Sequence, residues 1–261
     1  MLFRSRIGGN VPRKAVLVSV VKGLERPTGK RMTELMAEEM SPASVERFSV
    51  LSGPNLSAEI ALGYPSSTVV ASQNPEVARW VQDLFNSRTF RVYTSDDVVG
   101  VELGGALKNV IAIGAGVSDG LGYGENAKAA FVTRGLAEIT RLGVASGATP
   151  LTLAGLSGLG DLMATCFSEL SRNRHVGEQL GRGHALADVR AGMQHVAEGV
   201  DTVSAALTLA SRYEVEMPIT ETLSRILFEG MDPQGATTSL LNRAPTQEWP
   251  VELARGQRPD A

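Results

Sequence analysis

The sequence predicts an α/β unit built on a parallel sheet, followed by an all-helical unit. Up to about residue 97, short strand-like runs alternate with helical runs, which is typical of a sheet with crossover helices. After Asp97 the strand signals stop, and helical runs separated by Gly, Pro or Ser follow. We therefore expect one domain at residues 1–97 and a second at residues 98–261.

The first unit is expected to hold four strands and two helices. Residues 15–21 are rich in β-branched side chains, as expected of a strand buried on both faces. Further strands are predicted at 48–51, 67–71 and 90–93. Apolar residues at 32, 35, 36 and 40 predict one helix, and Pro75 begins a second helix at 75–85.

The second unit is expected to be helical up to a C-terminal tail. Helices are predicted at 98–117, 127–143, 151–165, 172–180, 202–211 and 220–228. From about residue 242 the sequence is polar and contains prolines, which indicates a loose tail.

Composition and charge exclude several functional classes. The net charge of −3 leaves no basic surface for a nucleic-acid backbone. No stretch reaches the roughly 18 uncharged apolar residues that a membrane helix needs, and residues 1–10 lack the apolar core of a signal peptide. The single Cys166 cannot form an internal disulfide. We expect a soluble cytoplasmic protein with no nucleic-acid partner and no membrane insertion.

A metal site is not expected either. The histidines at 175, 184 and 195 show no metal-ligand spacing, and one cysteine cannot complete a set. The pattern also contains no cluster of histidine with acidic residues that would indicate a Ser or Cys hydrolase.

The helix predicted at 98–117 carries the first candidate site residue. Between Leu103 and Val117 only Lys108 and Asn109 are polar, so this helix must be buried nearly all round. Burial lowers the pKa of a lysine, which lets it transfer a proton near neutral pH. The alternative is that Lys108 reaches the surface or simply pairs with a carboxylate.

A glycine-rich turn precedes the second candidate. Gly158 and Gly160 allow a tight turn, and Asp161 follows where a helix N-cap belongs. Capping is the simpler interpretation. The functional interpretation is a carboxylate beside Lys108, with Thr165 one turn later on the same helical face.

The run Ser171-Arg-Asn-Arg174 is suited to binding a phosphate. It combines guanidinium and amide donors with the start of a predicted helix, whose free N–H groups favour an anion. The alternative is a solvated helix start with surface arginines.

Polar residues also follow two predicted strands. Lys22 comes directly after the strand ending at Val21, and the run from Gly53 to Ser57 follows the strand at 48–51. Ligands of open α/β sheets bind beyond the carboxyl ends of the strands, so we expect Lys22 to meet a substrate or cofactor.

The residues of these motifs and their order along the chain resemble those of bacterial NAD(P)-dependent glycerol-3-phosphate dehydrogenases. The resemblance runs from about Lys14 to about Arg243 and rests on the segments 22–25, 51–54, 100–116, 158–162, 171–174 and 216–220. It implies a partial Rossmann-type parallel sheet and a helical substrate and catalytic domain of the 6-phosphogluconate-dehydrogenase-like type. It also implies a homodimer that interconverts dihydroxyacetone phosphate and sn-glycerol 3-phosphate with NAD or NADP, supplying glycerophospholipid synthesis.

The resemblance further implies a role for each site residue. Lys108 would exchange the proton at the carbonyl oxygen, and Lys22 and Asp161 would complete the catalytic set. The residues implied to bind substrate are Lys22, Gly53, Asn55, Lys108, Asp161, Thr165, Ser171, Arg172 and Asn173. Those implied to bind the cofactor are Lys22, Ser57, Arg172, Val196 and Glu198. At the position of Asn55 the family more often has Ser or Thr.

One feature of the family is expected to be missing. The family opens with a strand, a G-x-G-x-x-G turn and a helix that together seat the pyrophosphate, and no such pattern precedes residue 15. Roughly 80 residues of the nucleotide-binding half would then be absent. Either the start lies upstream in a longer reading frame, or the chain is a truncated, non-catalytic remnant that only pairs with another subunit or partner. A third interpretation, a related dehydrogenase of another hydroxy acid, is disfavoured by Arg172 and Asn173.

Overall fold

The computed structural model describes residues 11–12, 14–40, 45–193 and 195–248. Its front part alternates strands with helices, as predicted. The elements in order are β1 (Leu17–Ser19), α1 (Met32–Glu39), β2 (Phe48–Ser52), α2 (Ser57–Ala61), β3 (Ser66–Ala71), α3 (Pro75–Phe85) and β4 (Phe90–Ser95). The predicted helix at 75–85 is confirmed with both of its bounds, and the side chain of Asn74 caps it by accepting from the Glu76 N–H.

The four strands form one sheet in the order β1-β2-β3-β4. The pairs β1–β2 and β3–β4 are parallel, as predicted, whereas β2 and β3 run antiparallel. The reason is the connection at 53–65. Its only helix, α2, spans about 7–8 Å, too little to carry the chain back along a strand of about 17 Å for a parallel pairing.

The expectation of a doubly buried strand at 15–21 is wrong for the residues that the structure describes. The strand is limited to Leu17–Ser19, where it pairs with β2 along one side. Val20 and Val21 lie beyond this pairing and are 60% and 55% exposed. Beyond Ser19 the run has no strand partner in the described part of the chain, and the side chains of Val20 and Val21 remain accessible to solvent.

The rest of the described chain is helical. Its elements are α4 (Val98–Gly120), α5 (Glu125–Ala145), α6 (Pro150–Leu153), a π-helical turn at Leu156–Gly160, α7 (Asp161–Phe167), α8 (Arg172–Gly181), α9 (Leu186–Ala191), α10 (Glu198–Arg212), α11 (Pro218–Glu229) and α12 (Pro233–Leu241). The single helix expected at 151–165 is wrong, because glycines 155, 158 and 160 break it into α6, the π-turn and α7. The pattern also missed α2, α9 and α12, each of nine residues or fewer.

Helix α4 is the axis of the main apolar core. It is long and apolar enough to cross a membrane, but 89% of its apolar window is buried inside the protein. Two glycines let α8 pack against its backbone: a Cβ at Gly177 would lie 1.8 Å from the Ile113 carbonyl oxygen, and one at Gly116 would lie 1.9 Å from that of Arg174. The motif Ser171–Arg174 at the start of α8 is thereby held beside α4.

The sheet packs against the other end of α4. Val50 of β2 and Ala71 of β3 form an apolar cluster with Val101. The buried Glu102 carboxylate accepts hydrogen bonds from the Thr33 N–H (2.9 Å) and from Arg31 (2.7 Å), which joins α1 to α4. The carboxyl ends of β1 and β2 therefore face the middle of α4, where Lys108 lies. Of the expected tail, residues 242–248 contain no helix or strand, and 249–261 lie outside the described residues.

Candidate active site

Lys108 lies in the middle of α4 and is 7% exposed. It does not reach the surface. Its Nζ donates to Asp161 Oδ1 (2.7 Å) and to Thr165 Oγ1 (2.6 Å). Thr165 in turn donates to the main-chain oxygen of Asp161 at 2.6 Å. These bonds use two of the three N–H groups of an ammonium, which leaves one for a ligand.

Asp161 bridges two lysines. Its second oxygen, Oδ2, accepts from Lys22 Nζ at 2.7 Å, and the same Nζ donates to the Gly53 carbonyl oxygen at 2.8 Å. The N-cap position of α7 belongs to Gly160, and no side chain caps this helix, so Asp161 does not have the capping role. The structure thus decides between the two interpretations of Asp161 in favour of the lysine partner.

The π-turn explains why this carboxylate points inward. Gly158 has no room for a side chain, because a Cβ there would lie 1.9 Å from the Leu153 carbonyl oxygen. The compact turn at Leu156–Gly160 starts α7 directly against α4, which buries both Asp161 and Thr165. The acidic partner of Lys108 therefore comes from the sequence that follows the glycines.

Burial and the neighbouring charges together shift the pKa of Lys108. Desolvation lowers the pKa of Lys108 below its ordinary value, while the Asp161 carboxylate partly restores it and the nearby Lys22 ammonium lowers it further. Two cations share one carboxylate, so the cluster retains a net positive charge. A positively charged site with a titratable lysine suits an anionic substrate and a proton transfer.

Cys166, which is close to Lys108, and Ser118, ten residues farther along α4, show no sign of nucleophilic chemistry. Burial raises the pKa of the Cys166 thiol to about 12, so it stays a neutral thiol. The run Gly116–Gly120 fits the letters G-x-S-x-G, but it lies inside α4 and not at a strand-to-helix turn. Within the part of the chain that is described, no group of three or more His, Cys, Asp or Glu residues could hold a metal ion.

The predicted phosphate motif lies at the start of α8, as expected. Ser171 is the N-cap, and its Oγ accepts from the Arg174 N–H at 3.2 Å. Arg172 is 45% exposed and its Nη2 lies 2.7 Å from Glu198 Oε1. Asn173 is buried. A partly exposed guanidinium and a buried amide are thus neighbours at the N-terminus of this helix, a combination that is suited to an anion.

Asn109 links this helix start to the lysine cluster. Its Nδ2 donates to the Lys22 carbonyl oxygen (3.2 Å), and its Oδ1 accepts from Asn173 Nδ2 (3.0 Å). Asn173 Oδ1 accepts from the Gly199 N–H at 2.9 Å. The sequence pattern did not single out Asn109 as a site residue. The available signal was that, between Leu103 and Val117, Asn109 is the only polar residue besides Lys108.

The remaining predicted residues lie around this centre and not in it. Asn55 is engaged with β3: its Nδ2 donates to the Ser67 carbonyl oxygen (3.3 Å) and its Oδ1 accepts from Thr68 (2.9 Å). Ser57 begins α2 and is exposed. Val196 is 66% exposed and precedes α10, whose first residue is Glu198. No direct contact of these side chains with the two lysines is found among the described residues.

The fold and the site define a class of protein: a strand-and-helix unit joined to a helical unit, with a buried lysine–carboxylate centre and a helix start that carries Arg172 and Asn173. Comparison with known proteins gives the family. Two family models match, the NAD-dependent glycerol-3-phosphate dehydrogenase N-terminus at residues 3–78 and the C-terminus at residues 97–238. The chain belongs to the NAD-dependent glycerol-3-phosphate dehydrogenase family.

Individual relatives agree with this assignment. The glycerol-3-phosphate dehydrogenase [NAD(P)+] of Pelotomaculum thermopropionicum is 52% identical over 238 residues, which cover 91% of this chain and 68% of the relative. That of Geobacillus thermodenitrificans is 54% identical over 233 residues, covering 89% and 68%. A crystal structure of the Coxiella burnetii glycerol-3-phosphate dehydrogenase superposes with a TM-score of 0.87 at 37% identity, covering 93% of this chain and 73% of that one.

Proposed function

We propose that the protein interconverts dihydroxyacetone phosphate and sn-glycerol 3-phosphate by hydride transfer with NAD(P). Family membership supports the reaction, and the bridge from Lys108 through Asp161 to Lys22 is the observation that supports the site. In this proposal residues 1–97 contact the cofactor, and residues 98–261 provide the substrate and catalytic domain.

Lys108 acts as the acid for reduction. Its free N–H donates to the carbonyl oxygen of the substrate, and its proton moves to that oxygen as negative charge develops there. Lys108 is left as a neutral amine, which its lowered pKa favours, and it regains a proton from solvent. In the reverse direction the neutral amine removes the hydroxyl proton.

Lys22 and Asp161 prepare this step. Asp161 holds both ammonium groups by one oxygen each, so the two lysines face the same small volume. Lys22 adds a second positive charge where the oxyanion forms, and Thr165 fixes the direction of the Lys108 ammonium. Gly53 contributes its carbonyl oxygen, which holds the Lys22 side chain in place.

The start of α8 binds the substrate phosphate. Arg172 can offer a forked guanidinium, Asn173 an amide N–H, and Ser171 a hydroxyl at the helix N-terminus. The phosphate is a remote group, and binding it orients the carbonyl against Lys108. Asn55, whose side chain is bonded to β3, contributes to substrate binding from the side of the sheet.

The residues present fit a nicotinamide cofactor at the exposed rim of the site. Val196 is 66% exposed, and the Arg172–Glu198 pair is accessible to a ligand, while Ser57 is exposed at the start of α2. With Lys22, these residues would hold NAD or NADP. When bound, the cofactor supplies or accepts the hydride at the substrate carbon.

The direct test is oxidation of NADH or NADPH by the purified protein with dihydroxyacetone phosphate, followed by loss of absorbance. Turnover that requires the phosphate, with little turnover of plain dihydroxyacetone, is the expected result. A folded protein without turnover would favour a non-catalytic pairing domain, and equal turnover of both substrates would favour a dehydrogenase of another hydroxy acid.

We also propose a cytoplasmic homodimer that supplies glycerol 3-phosphate for phospholipid synthesis. The unpaired, buried Cys166 agrees with a reducing compartment. The mass in solution, measured by light scattering, is expected to be twice that of the chain, and a single-chain mass would contradict the dimer.

A further inference from the structure

Three hydrogen bonds form a continuous relay from α10 to the strand end that carries Lys22. The relay runs from the Gly199 N–H to Asn173, from Asn173 to Asn109, and from Asn109 to the Lys22 carbonyl oxygen. Both amide side chains are about 95% buried, so water does not compete for these bonds. The relay thus joins the phosphate-binding end of the site to the main chain of a lysine at the other end.

The chemistry of the two ends fixes the direction of the relay. A main-chain N–H can only donate and a main-chain carbonyl can only accept. Asn173 must therefore present its oxygen to Gly199 and its nitrogen to Asn109, and Asn109 must present its nitrogen to Lys22. Neither amide can flip without leaving a buried group unpaired, which costs about 1–3 kcal/mol.

This direction determines which atom of Asn173 is available to a ligand. One N–H of its Nδ2 is used by Asn109, and the second N–H remains for an acceptor such as a phosphate oxygen. A flipped amide would instead present an oxygen, which repels phosphate. The packing is also tight, because a Cβ at Gly199 would lie 2.5 Å from the Asn109 carbonyl oxygen and 2.8 Å from Asn173 Oδ1.

We propose that Asn109 is a positioning residue that couples phosphate binding at Asn173 to the placement of Lys22. The inference rests on the proposed function and adds a route by which the phosphate group contributes to turnover. A phosphate oxygen that accepts the second N–H of Asn173 Nδ2 fixes the position of this amide. Through Asn109 it thereby fixes the position of the Lys22 main chain, from which the Lys22 Nζ reaches Asp161. Binding energy from the phosphate is thereby expressed in kcat as well as in KM.

The test replaces Asn109 and compares two substrates. Asn109→Leu removes both the donor and the acceptor at similar size, and Asn109→Ser is a smaller polar change in case the leucine variant does not fold. The matched control is Ser118→Ala on the same helix, since Ser118 is buried and its Oγ has no hydrogen-bond partner among the described residues. Each protein is assayed for kcat and KM with dihydroxyacetone phosphate and with dihydroxyacetone.

The relay predicts a loss that depends on the phosphate. For Asn109→Leu, kcat with dihydroxyacetone phosphate should fall roughly 10- to 100-fold, as expected for a misplaced reacting group, while the value for dihydroxyacetone changes little. Ser118→Ala should leave both unchanged. If Asn109 only fills space in the core, both substrates lose the same factor in the leucine and serine variants, and the coupling is refuted.

The activity of the wild-type protein separates failure of the proposed function from failure of the relay. A wild-type protein that does not reduce dihydroxyacetone phosphate refutes the proposed function and the relay with it. A wild-type protein that is active, with an unchanged substrate ratio in both Asn109 variants, refutes the relay alone.

Discussion

Replacement of Lys108 by alanine removes the proposed acid but does not leave Asp161 as an unpaired buried charge. Asp161 keeps one cationic partner, because Lys22 Nζ lies 2.7 Å from its other oxygen. Thr165 keeps its bond to the Asp161 main-chain oxygen. The variant is therefore expected to fold, with a small cavity in place of the lysine side chain, and to lose mainly the chemical step.

The expected magnitude follows from the acid–base contribution of Lys108. Positioned acid–base catalysis contributes about 10²- to 10⁴-fold, which corresponds to about 2.7–5.4 kcal/mol in the barrier. The loss should appear in kcat, since in the proposed arrangement the phosphate group binds at α8 and not at Lys108. The wild-type rate of reduction should fall as pH rises through the lowered pKa of Lys108, because only the protonated lysine donates, and the oxidation rate should rise over the same range. Lys108→Ala should lack this limb of the profile.

A second buried lysine provides the control. Lys128 Nζ lies 2.8 Å from Asp119 Oδ2, and Asp119 keeps Arg174 at 2.6 Å when Lys128 is removed. Lys128→Ala therefore removes a buried ion pair of the same kind that does not involve Lys108, Asp161 or Lys22. The test is to measure kcat of both folded variants by steady-state kinetics. A kcat for Lys108→Ala within a few-fold of that for Lys128→Ala would refute the role of Lys108.

Three further predictions concern the phosphate end and the framework. Arg172→Ala should lower kcat/KM for dihydroxyacetone phosphate about 10- to 100-fold with little effect on dihydroxyacetone, and an equal loss with both would contradict its phosphate role. Glu138 is buried and accepts from two main-chain N–H groups in the first turn of α11. Glu138→Gln should therefore lower the free energy of unfolding, measured in urea, by about 1–3 kcal/mol. It should not change kcat of the folded fraction. Gly177→Ala places a Cβ 1.8 Å from the Ile113 carbonyl oxygen and should destabilise the fold by about 3 kcal/mol or more. Gly124→Ala, whose Cβ meets nothing within 4 Å, should not destabilise it. Equal melting temperatures of the two variants would contradict this prediction.

Local patterns were sufficient for much of the fold. Pro75 predicted the first residue of α3, and the apolar run around Lys108 required a buried helix. They were insufficient where pairing partners decide the outcome. Val20 and Val21 have strand propensity but no described strand neighbour, and the antiparallel step between β2 and β3 depends on the length of a connection.

The sequence by itself determined which residue types were available for chemistry: a lysine in an apolar helix, an aspartate after a glycine turn, and an Arg-Asn pair at a helix start. Only the tertiary structure decided that Asp161 binds both Lys108 and Lys22, and that Asn109 connects Lys22 to Asn173. These contacts join residues between 53 and 139 positions apart. A local pattern contains side-chain chemistry and helical periodicity. The partner of a buried polar group is determined by the packing of distant elements, because each such group must form a hydrogen bond with a group that the fold places beside it.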